Sequence, residues 1–211
     1  MKLYIYEHCP FCTRARMIFG LKQLPVELAV ILEGDAETPT RLIGKKAVPI
    51  LEKADGTHMG ESLDIVAYVD AMGTPVLTGQ ENAAIDQWVT DVWKPALDLF
   101  IPRFTRGDFA ELATPEAREA YRAREEKAFG DLESLLGQSA DLIPRVHAQL
   151  LTLDGLLGRA IAAPSLTDIR LWPVLRSLSI VRGLDFPPNV RAYMAHYSAT
   201  AKVPLLFDQA Q

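Results

Sequence analysis

The sequence predicts a small α/β domain followed by a larger all-helical domain. Strand and helix patterns alternate over residues 1–72, whereas only helical patterns follow residue 80. Between these two parts, residues 73–80 read GTPVLTGQ, a stretch of small, polar and proline residues that is typical of a linker. We therefore expect domains at 1–72 and 81–211, joined by a linker at 73–80.

The first domain is expected to follow the order βαβαββα. Residues 2–6 are aromatic and β-branched and predict a strand, while the next helix opens at Pro10 and closes before Pro25. The remaining helices are expected at 38–44 and 61–73. The remaining strands are expected at 27–32, 48–53 and 57–60, the last two forming a hairpin.

The second domain contains helical segments only. An apolar stripe runs from Ile85 to Phe100, and a charged helix that begins with the Thr114-Pro115 cap is predicted to continue to Gly137. A further stripe, 143–157, ends at Gly158, and the sequence SLTD (165–168) is a capping box for the next helix. Tryptophans at helical spacing are usually core residues, so we expect this for all three: Trp88, Trp93 and Trp172.

Composition narrows the classes of function. With 211 residues of which 49% are hydrophobic, the chain can bury a core without disulfides. Neither a signal peptide nor an apolar run of about 18 residues is visible, which predicts a soluble cytoplasmic protein without a membrane partner. The net charge of −5 argues against a nucleic-acid partner.

Both cysteines lie in the sequence EHCPFCTRAR (7–16), between the first strand and the first helix. A helix N-terminus stabilises an anion, so Cys9 is a candidate thiolate, and Cys12 lies one turn further on. A reducing compartment disfavours a permanent disulfide. A metal site needs about four ligands, and only His8 and His58 could join the two thiols. The residues favour a redox-active pair but leave both alternatives open.

Several motifs in order resemble a known family. CPFC follows the first strand, VP (48–49) opens the third, ES (61–62) begins the third helix, and SLTD lies in the helical domain. This arrangement resembles the glutaredoxin version of the thioredoxin fold, followed by a domain similar to the helical domain of cytosolic glutathione transferases. Over essentially the whole chain it looks like the two-domain bacterial glutaredoxins of the glutaredoxin 2 type. One departure is Phe11, where the commoner motif has tyrosine.

The resemblance implies a glutathione site. Its residues would be Pro10, Phe11, Lys46, Val48, Pro49, Glu61 and Ser62. Val48 would precede a cis proline and pair through its backbone with the cysteine of glutathione, while Glu61 and Ser62 would receive the γ-glutamyl end. Lys45 and Lys46 are candidates for the glycyl carboxylate.

The resemblance also implies the activity: glutathione-dependent reduction of protein disulfides and glutathionylated proteins. Cys9 would attack, and Cys12 or a second glutathione would resolve the mixed disulfide. We expect a monomer with no metal and no cofactor other than glutathione. Two alternatives remain: a cysteine-type glutathione transferase or dehydroascorbate reductase, and an iron–sulfur cluster carrier.

Overall fold

The computed structural model describes residues 1–159 and 161–211. The first part of the chain has the predicted element order. Its strands and helices are β1 (Lys2–Ile5), α1 (Pro10–Leu21), β2 (Glu27–Val30), α2 (Glu37–Ile43), β3 (Ile50–Glu52), β4 (His58–Met59) and α3 (Ser62–Asp70). The strands are shorter than predicted, and Val48 and Pro49 precede β3 instead of opening it.

The four strands form one mixed sheet in the order β2-β1-β3-β4. β1 pairs parallel to β2 and antiparallel to β3, so that Leu3 lies opposite both Leu28 and Leu51. Leu3 and Leu51 are completely buried, whereas Leu28 on the edge strand is exposed. The parallel step from β1 to β2 runs through α1, and α1 therefore begins at the end of the central strand, a position that suits a site.

Every secondary-structure element in the described residues of the second part is a helix. Its elements are α4 (Ala83–Phe104), a short 3-10 helix (Ala110–Leu112), α5 (Pro115–Phe129), α6 (Leu132–Gly137), α7 (Ser139–Leu157), α8 (Leu166–Leu178), α9 (Pro188–Ala201) and a second 3-10 helix (Phe207–Gln209). None of the helices in the described ranges is both long and apolar enough to span a membrane.

The prediction of a single charged helix from Pro115 to Gly137 is wrong, because the first helix ends at Phe129 and a second begins at Leu132. Gly130 has a positive φ of 75°, which ends α5, and Asp131 then begins a new helix. The Asp131 carboxylate accepts a hydrogen bond of 2.7 Å from the Ser134 N–H. A glycine with a positive φ favours the end of one helix, and an aspartate directly after it can cap the start of the next helix.

The capping box predicted at the start of α8 is confirmed. One carboxylate oxygen of Asp168 accepts hydrogen bonds of 2.8 Å from both the backbone N–H and the hydroxyl of Ser165. The other oxygen accepts a bond of 2.8 Å from the Tyr193 hydroxyl on α9. Asp168 therefore joins the start of α8 to α9 as well as capping α8.

The two domains pack closely through α1. Gly20 approaches the last turn of α9, where an added Cβ would lie 1.9 Å from the carbonyl oxygen of Ala201. Arg176 on α8 is buried, and its guanidinium donates to the backbone oxygens of Glu7 at 2.9 Å and Pro204 at 2.8 Å. Residues of the helical domain thus hold the loop that leads into α1.

Candidate active site

The two cysteines occupy the first turn of α1. Cys9 immediately precedes the helix with an extended backbone (φ −67°, ψ 122°), and Pro10 is the first helical residue. Proline suits this position because its fixed φ matches the helix and its missing N–H needs no partner. Both cysteines are free thiols, and Cys9 is partly exposed whereas Cys12 is completely buried.

Cys9 is acidified by its surroundings. The Cys12 thiol donates a hydrogen bond to the Cys9 sulfur and, with the charge of His8 and the backbone N–H groups of Cys12 and Phe11, lowers the pKa of Cys9 to about 7, although burial opposes this shift. A thiolate is the nucleophile in disulfide exchange. The lowered pKa therefore increases the fraction of Cys9 that is in the reactive form near neutral pH.

Cys12 is shifted in the opposite direction. Burial is the main cause that raises the pKa of the Cys12 thiol, and the neighbouring Cys9 adds to it. The Tyr6 N–H lies 3.4 Å from the Cys12 sulfur and donates to it. One thiol at this site is thus accessible and acidic, and the other is enclosed and protonated.

The backbone beside Cys9 carries the expected cis peptide between Val48 and Pro49. Val48, Lys46, Pro10 and Phe11 line the same cavity as Cys9. Of the residues that the resemblance implies for glutathione binding, these four share a surface with Cys9.

Three other residues from that set, Pro49, Glu61 and Ser62, lie outside the cavity lining. Glu61 has a positive φ of 64° and immediately precedes α3, whose first residue is the buried Ser62. A positive φ is costly for a side chain other than glycine or asparagine, and such strain is found at functional sites. The exposed Glu61 carboxylate pairs with Lys45 at 2.5 Å. Lys45 is therefore already engaged, which leaves Lys46 as the lysine that faces the cavity.

The cavity, of about 450 Å³, lies between the two domains. The side opposite Cys9 is an apolar wall contributed by α4 and the end of α5, and it consists of Trp93, Leu97, Phe100, Ile101, Phe104 and Phe129. The ring centroids of Phe11 and Trp93 are 5.8 Å apart, so the aromatic side chain of the motif contacts this wall.

The prediction of three core tryptophans holds for Trp88 and Trp172 and is wrong for Trp93. Trp88 and Trp172 are buried, whereas Trp93 is partly exposed in the cavity. A signal for this was present in the sequence: 93, 97, 100 and 104 form an apolar stripe on α4, in addition to the stripe through Ile85, Trp88 and Val92. A helix that is apolar on two faces has a second surface to cover.

Two further residues of the site, His8 and Glu111, were missed as a pair. His8 Nδ1 lies 2.6 Å from the Glu111 carboxylate, and both side chains are buried. His58 lies on β4, 3.6 Å from Glu52. The two histidines considered as metal ligands thus each contact a carboxylate. Among the described residues, no group of three or more histidine, cysteine, aspartate or glutamate side chains is arranged to hold a metal ion.

A thioredoxin-like domain that carries an acidified CxxC pair at a helix N-terminus, beside a cis proline, defines a thiol–disulfide oxidoreductase. Residues 3–72 match the family model of the glutathione S-transferase N-terminal domain, and residues 84–210 match that of the glutaredoxin 2 C-terminal domain. The chain belongs to the glutaredoxin 2 family. It is accordingly a glutathione-dependent thiol–disulfide oxidoreductase.

Known proteins resemble the chain over its whole length. Glutaredoxin 2 of Escherichia coli K12 is 45% identical over 214 residues, with 100% of both chains covered. The crystal structure of glutaredoxin 2 from Salmonella typhimurium in complex with glutathione matches with a TM-score of 0.97 at 43% identity, covering 100% of this chain and 98% of that chain. A glutathione transferase of Phanerochaete chrysosporium matches with a TM-score of 0.73 at 17% identity, covering 94% and 96% of the two chains, which shows a shared fold.

Proposed function

We propose that Cys9 is the attacking thiolate and Cys12 the resolving thiol in the reduction of protein disulfides and glutathionylated proteins. The observation that carries this assignment is the contrast within one helical turn: the partly exposed Cys9 has a pKa lowered to about 7, while burial raises that of Cys12. An accessible thiolate attacks a substrate, whereas a buried thiol reacts with the neighbour that it already contacts.

The reaction begins when the Cys9 thiolate attacks one sulfur of a substrate disulfide. The S–S bond breaks, the released sulfur leaves as a thiolate that takes a proton, and Cys9 is held in a mixed disulfide. In the two-cysteine route, Cys12 loses its proton and attacks the Cys9 sulfur, which releases the second substrate thiol. Two glutathione molecules then reduce the Cys9–Cys12 disulfide and leave as glutathione disulfide.

Glutathionylated substrates allow a shorter route. Cys9 attacks the glutathione sulfur of the mixed disulfide and releases the protein thiol, and a second glutathione then attacks the Cys9–glutathione adduct. The products are one protein thiol and one glutathione disulfide. Cys12 is not consumed in this route, so the two routes depend differently on it.

We propose that glutathione binds to the side of the cavity that the α/β domain forms. The N–H and C=O of Val48 would pair with the cysteine of glutathione, and Lys46 would bind its glycyl carboxylate. Ser62 and the free N–H groups at the start of α3 would bind the γ-glutamyl carboxylate, and Glu61 its ammonium group. The shared cavity of Cys9, Pro10, Val48 and Lys46 supports this, as does the glutathione complex of the Salmonella relative.

The other half of the disulfide would lie against the apolar wall. An open, mostly apolar surface beside Cys9 suits an apolar side chain next to the substrate cysteine. We also propose that the enzyme acts as a monomer, and that it acts in the cytoplasm, where glutathione keeps thiols reduced. The proposed domains, 1–72 and 81–211 with a linker at 73–80, agree with the end of α3 at Asp70 and the start of α4 at Ala83.

The test compares Cys9→Ser and Cys12→Ser on two substrates, a glutathionylated protein and a protein disulfide. We expect Cys9→Ser to abolish both activities. Cys12→Ser should keep much of the first and lose most of the second, because only the second needs an intramolecular thiol at high effective concentration. A transferase assay with a small electrophile, run in parallel, separates the oxidoreductase from the transferase alternative.

The order of labelling provides an independent check. Sub-stoichiometric iodoacetamide near pH 6 should modify Cys9 first, because its thiolate is the more populated of the two. Mass spectrometry that found Cys12 alkylated first, or a Cys9→Ser enzyme that kept its activity, would overturn the assignment of roles.

A further inference from the structure

His8 is a buried titratable residue that immediately precedes Cys9 in the sequence. Only 4% of it is exposed, and it lines the same cavity as Cys9. Its ring stacks on Tyr6 with centroids 5.8 Å apart and meets Tyr121 edge-on at 5.1 Å. These aromatic contacts fix the plane of the imidazole, so the ring is held in one orientation beside the reactive thiol.

The partner of His8 comes from the helical domain. Glu111 is completely buried on the 3-10 helix Ala110–Leu112, and its Oε1 accepts a hydrogen bond of 2.8 Å from the His8 N–H and lies 2.6 Å from His8 Nδ1. Burying a carboxylate is expensive unless a positive group or several donors compensate for it. His8 provides two contacts to the same oxygen, one from its backbone and one from its ring.

Further backbone contacts fasten this 3-10 helix to the α/β domain around the pair. The Ala110 N–H donates to the Glu7 carboxylate at 3.1 Å, and the Glu33 N–H donates to the Glu111 carbonyl oxygen at 2.9 Å. Glu111 is therefore positioned by hydrogen bonds on both sides of its own residue. Its placement against His8 does not depend on one flexible side chain.

We propose that Glu111 is a positioning residue for the redox reaction: its contacts with the backbone and the ring of His8 hold that imidazole beside Cys9, so that the helical domain separates the reactivity of the two thiols. The inference rests on the proposed roles of the two cysteines and extends them to a residue in the other domain. Glu111 itself does not touch the reacting sulfur atoms.

The electrostatics of the two thiols agree with this arrangement. After the hydrogen bond from Cys12, the charge of His8 is the next favourable contribution that lowers the pKa of Cys9. The charge of Glu111 contributes, after burial and the effect of Cys9, to raising the pKa of Cys12. Although burial opposes it, the contact with His8 lowers the pKa of Glu111, which keeps that carboxylate ionised. The charges of His8 and Glu111 thus act on the two sulfurs in opposite directions.

Other charges surround the site, so the pair is one contribution among several. Cys9 also interacts with Arg14, Arg176 and the Tyr121 hydroxyl, and Glu111 with Arg16 and Arg176. The Cys12 hydrogen bond and the helix N-terminus remain when the pair is removed. We therefore expect removal to raise the pKa of Cys9 only part of the way to that of a free thiol, by about one unit.

The test measures the pH dependence of Cys9 alkylation in Glu111→Gln, which keeps the size of the side chain and removes its charge. A rise of about one unit from about 7 should slow the reaction at pH 6 about tenfold and leave it almost unchanged at pH 9, where Cys9 is ionised in both proteins. His8→Gln should give a similar shift. The kcat/KM for a glutathionylated substrate should show the same loss at low pH and recover at high pH.

The matched control is Glu33→Gln. Glu33 is also a buried carboxylate in a cross-domain ion pair, 2.6 Å from Arg124, and its side chain does not contact His8. The substitution keeps the backbone N–H that Glu33 donates to Glu111. This variant should leave the midpoint of Cys9 alkylation where it is in the wild type. An equal shift in Glu33→Gln would attribute the effect to general loosening of the interface and overturn the proposal, and so would an unshifted midpoint in Glu111→Gln.

Wild-type measurements keep the inference testable if the variants fail to fold. Proton NMR should show a downfield imidazole N–H resonance from the 2.6 Å contact between His8 Nδ1 and Glu111, and the absence of this resonance would contradict the proposal. The identity of the peptide that is alkylated first distinguishes a failure of the proposed cysteine roles from a failure of the role of Glu111. Modification of Cys12 first would overturn the proposed cysteine roles, whereas modification of Cys9 first with an unshifted midpoint in Glu111→Gln would overturn only the role of Glu111.

Discussion

The two domains contribute to the active site in different ways. The α/β domain supplies the cysteine pair from one four-residue motif and the cis proline from a second short motif, Val48-Pro49. The helical domain supplies the apolar wall from α4 and α5 and Glu111 from the segment between them. Reactive groups can be local in sequence, whereas the environment that tunes them is assembled from distant segments.

The largest expected effect concerns the capping box of α8, which we expect to contribute to the stability of the helical domain and not to the reactivity of Cys9. Asp168→Ala removes three hydrogen bonds of 2.8 Å, from Ser165 and Tyr193, and should lower the free energy of unfolding by about 2 to 3 kcal/mol. Ser165→Ala should cost about 1 kcal/mol. Denaturant unfolding measures both, and the alkylation midpoint of Cys9 should not move.

The control for this prediction is Asp141→Ala. Asp141 lies in the first turn of α7 and is exposed, so it tests the loss of a first-turn carboxylate without the buried network. Its effect should stay below about 1 kcal/mol. Unchanged stability in both Asp168→Ala and Ser165→Ala would mean that the capping box does not hold the helical domain together.

An intermediate effect tests the apolar wall. Trp93→Ala should lower kcat/KM about tenfold for a mixed disulfide of glutathione and benzyl thiol, which corresponds to about 1.4 kcal/mol of apolar contact. The mixed disulfide with hydroxyethanethiol should be affected less than about twofold, since it has little apolar surface to bind.

Leu151→Ala is the matched control for the wall. Leu151 is a helical-domain leucine that is 56% exposed on α7 and does not line the cavity. Both substrates should react normally with this variant. Equal losses for the two substrates in Trp93→Ala would show that Trp93 supports the fold of the site and does not bind the apolar part of the substrate.

The smallest effect tests the proposed glutathione contacts of the α/β domain. Ser62→Ala removes a hydroxyl at the first residue of α3 and should raise the KM for glutathione about fivefold, or about 1 kcal/mol. The alkylation midpoint of Cys9 should stay at about 7, because Ser62 does not line its cavity. Steady-state kinetics at varied glutathione concentration measure the change.

Ser134→Ala provides the comparison for Ser62, because Ser134 is an exposed helical serine on α6 in the other domain. Its kinetics should match the wild type. If Ser62→Ala also matched the wild type, Ser62 would be a structural helix residue and the carboxylate of glutathione would have to bind elsewhere.

The sequence predicted those features that depend on neighbouring residues. The element order of the α/β domain, the position of Cys9 before α1 and the Ser165–Asp168 box all follow from patterns a few residues long. The break at Gly130 was missed because the charged pattern continues across it, although glycine followed by aspartate was a local warning.

The environment of the site was not predictable in the same way. Trp93 lies on a second apolar stripe of α4 that the sequence shows, but only the packing of the two domains decides that this stripe lines a cavity and not the core. His8 and Glu111 are separated by 103 positions, and no local pattern connects them. Burial of each residue in the folded molecule is what makes the pair a strong interaction.

The hydrogen bonds of Arg176 affect when, during synthesis of the chain, the cysteine loop can reach its final structure. It connects the oxygen of Glu7 to that of Pro204, and its bond to Glu7 spans 169 positions of the chain. A ribosome produces the N-terminal part first, at about 5 to 20 residues per second. The cysteine loop therefore leaves the ribosome many seconds before the residues that hold it have been synthesised, and the nascent chain carries its two thiols through that interval without their final support.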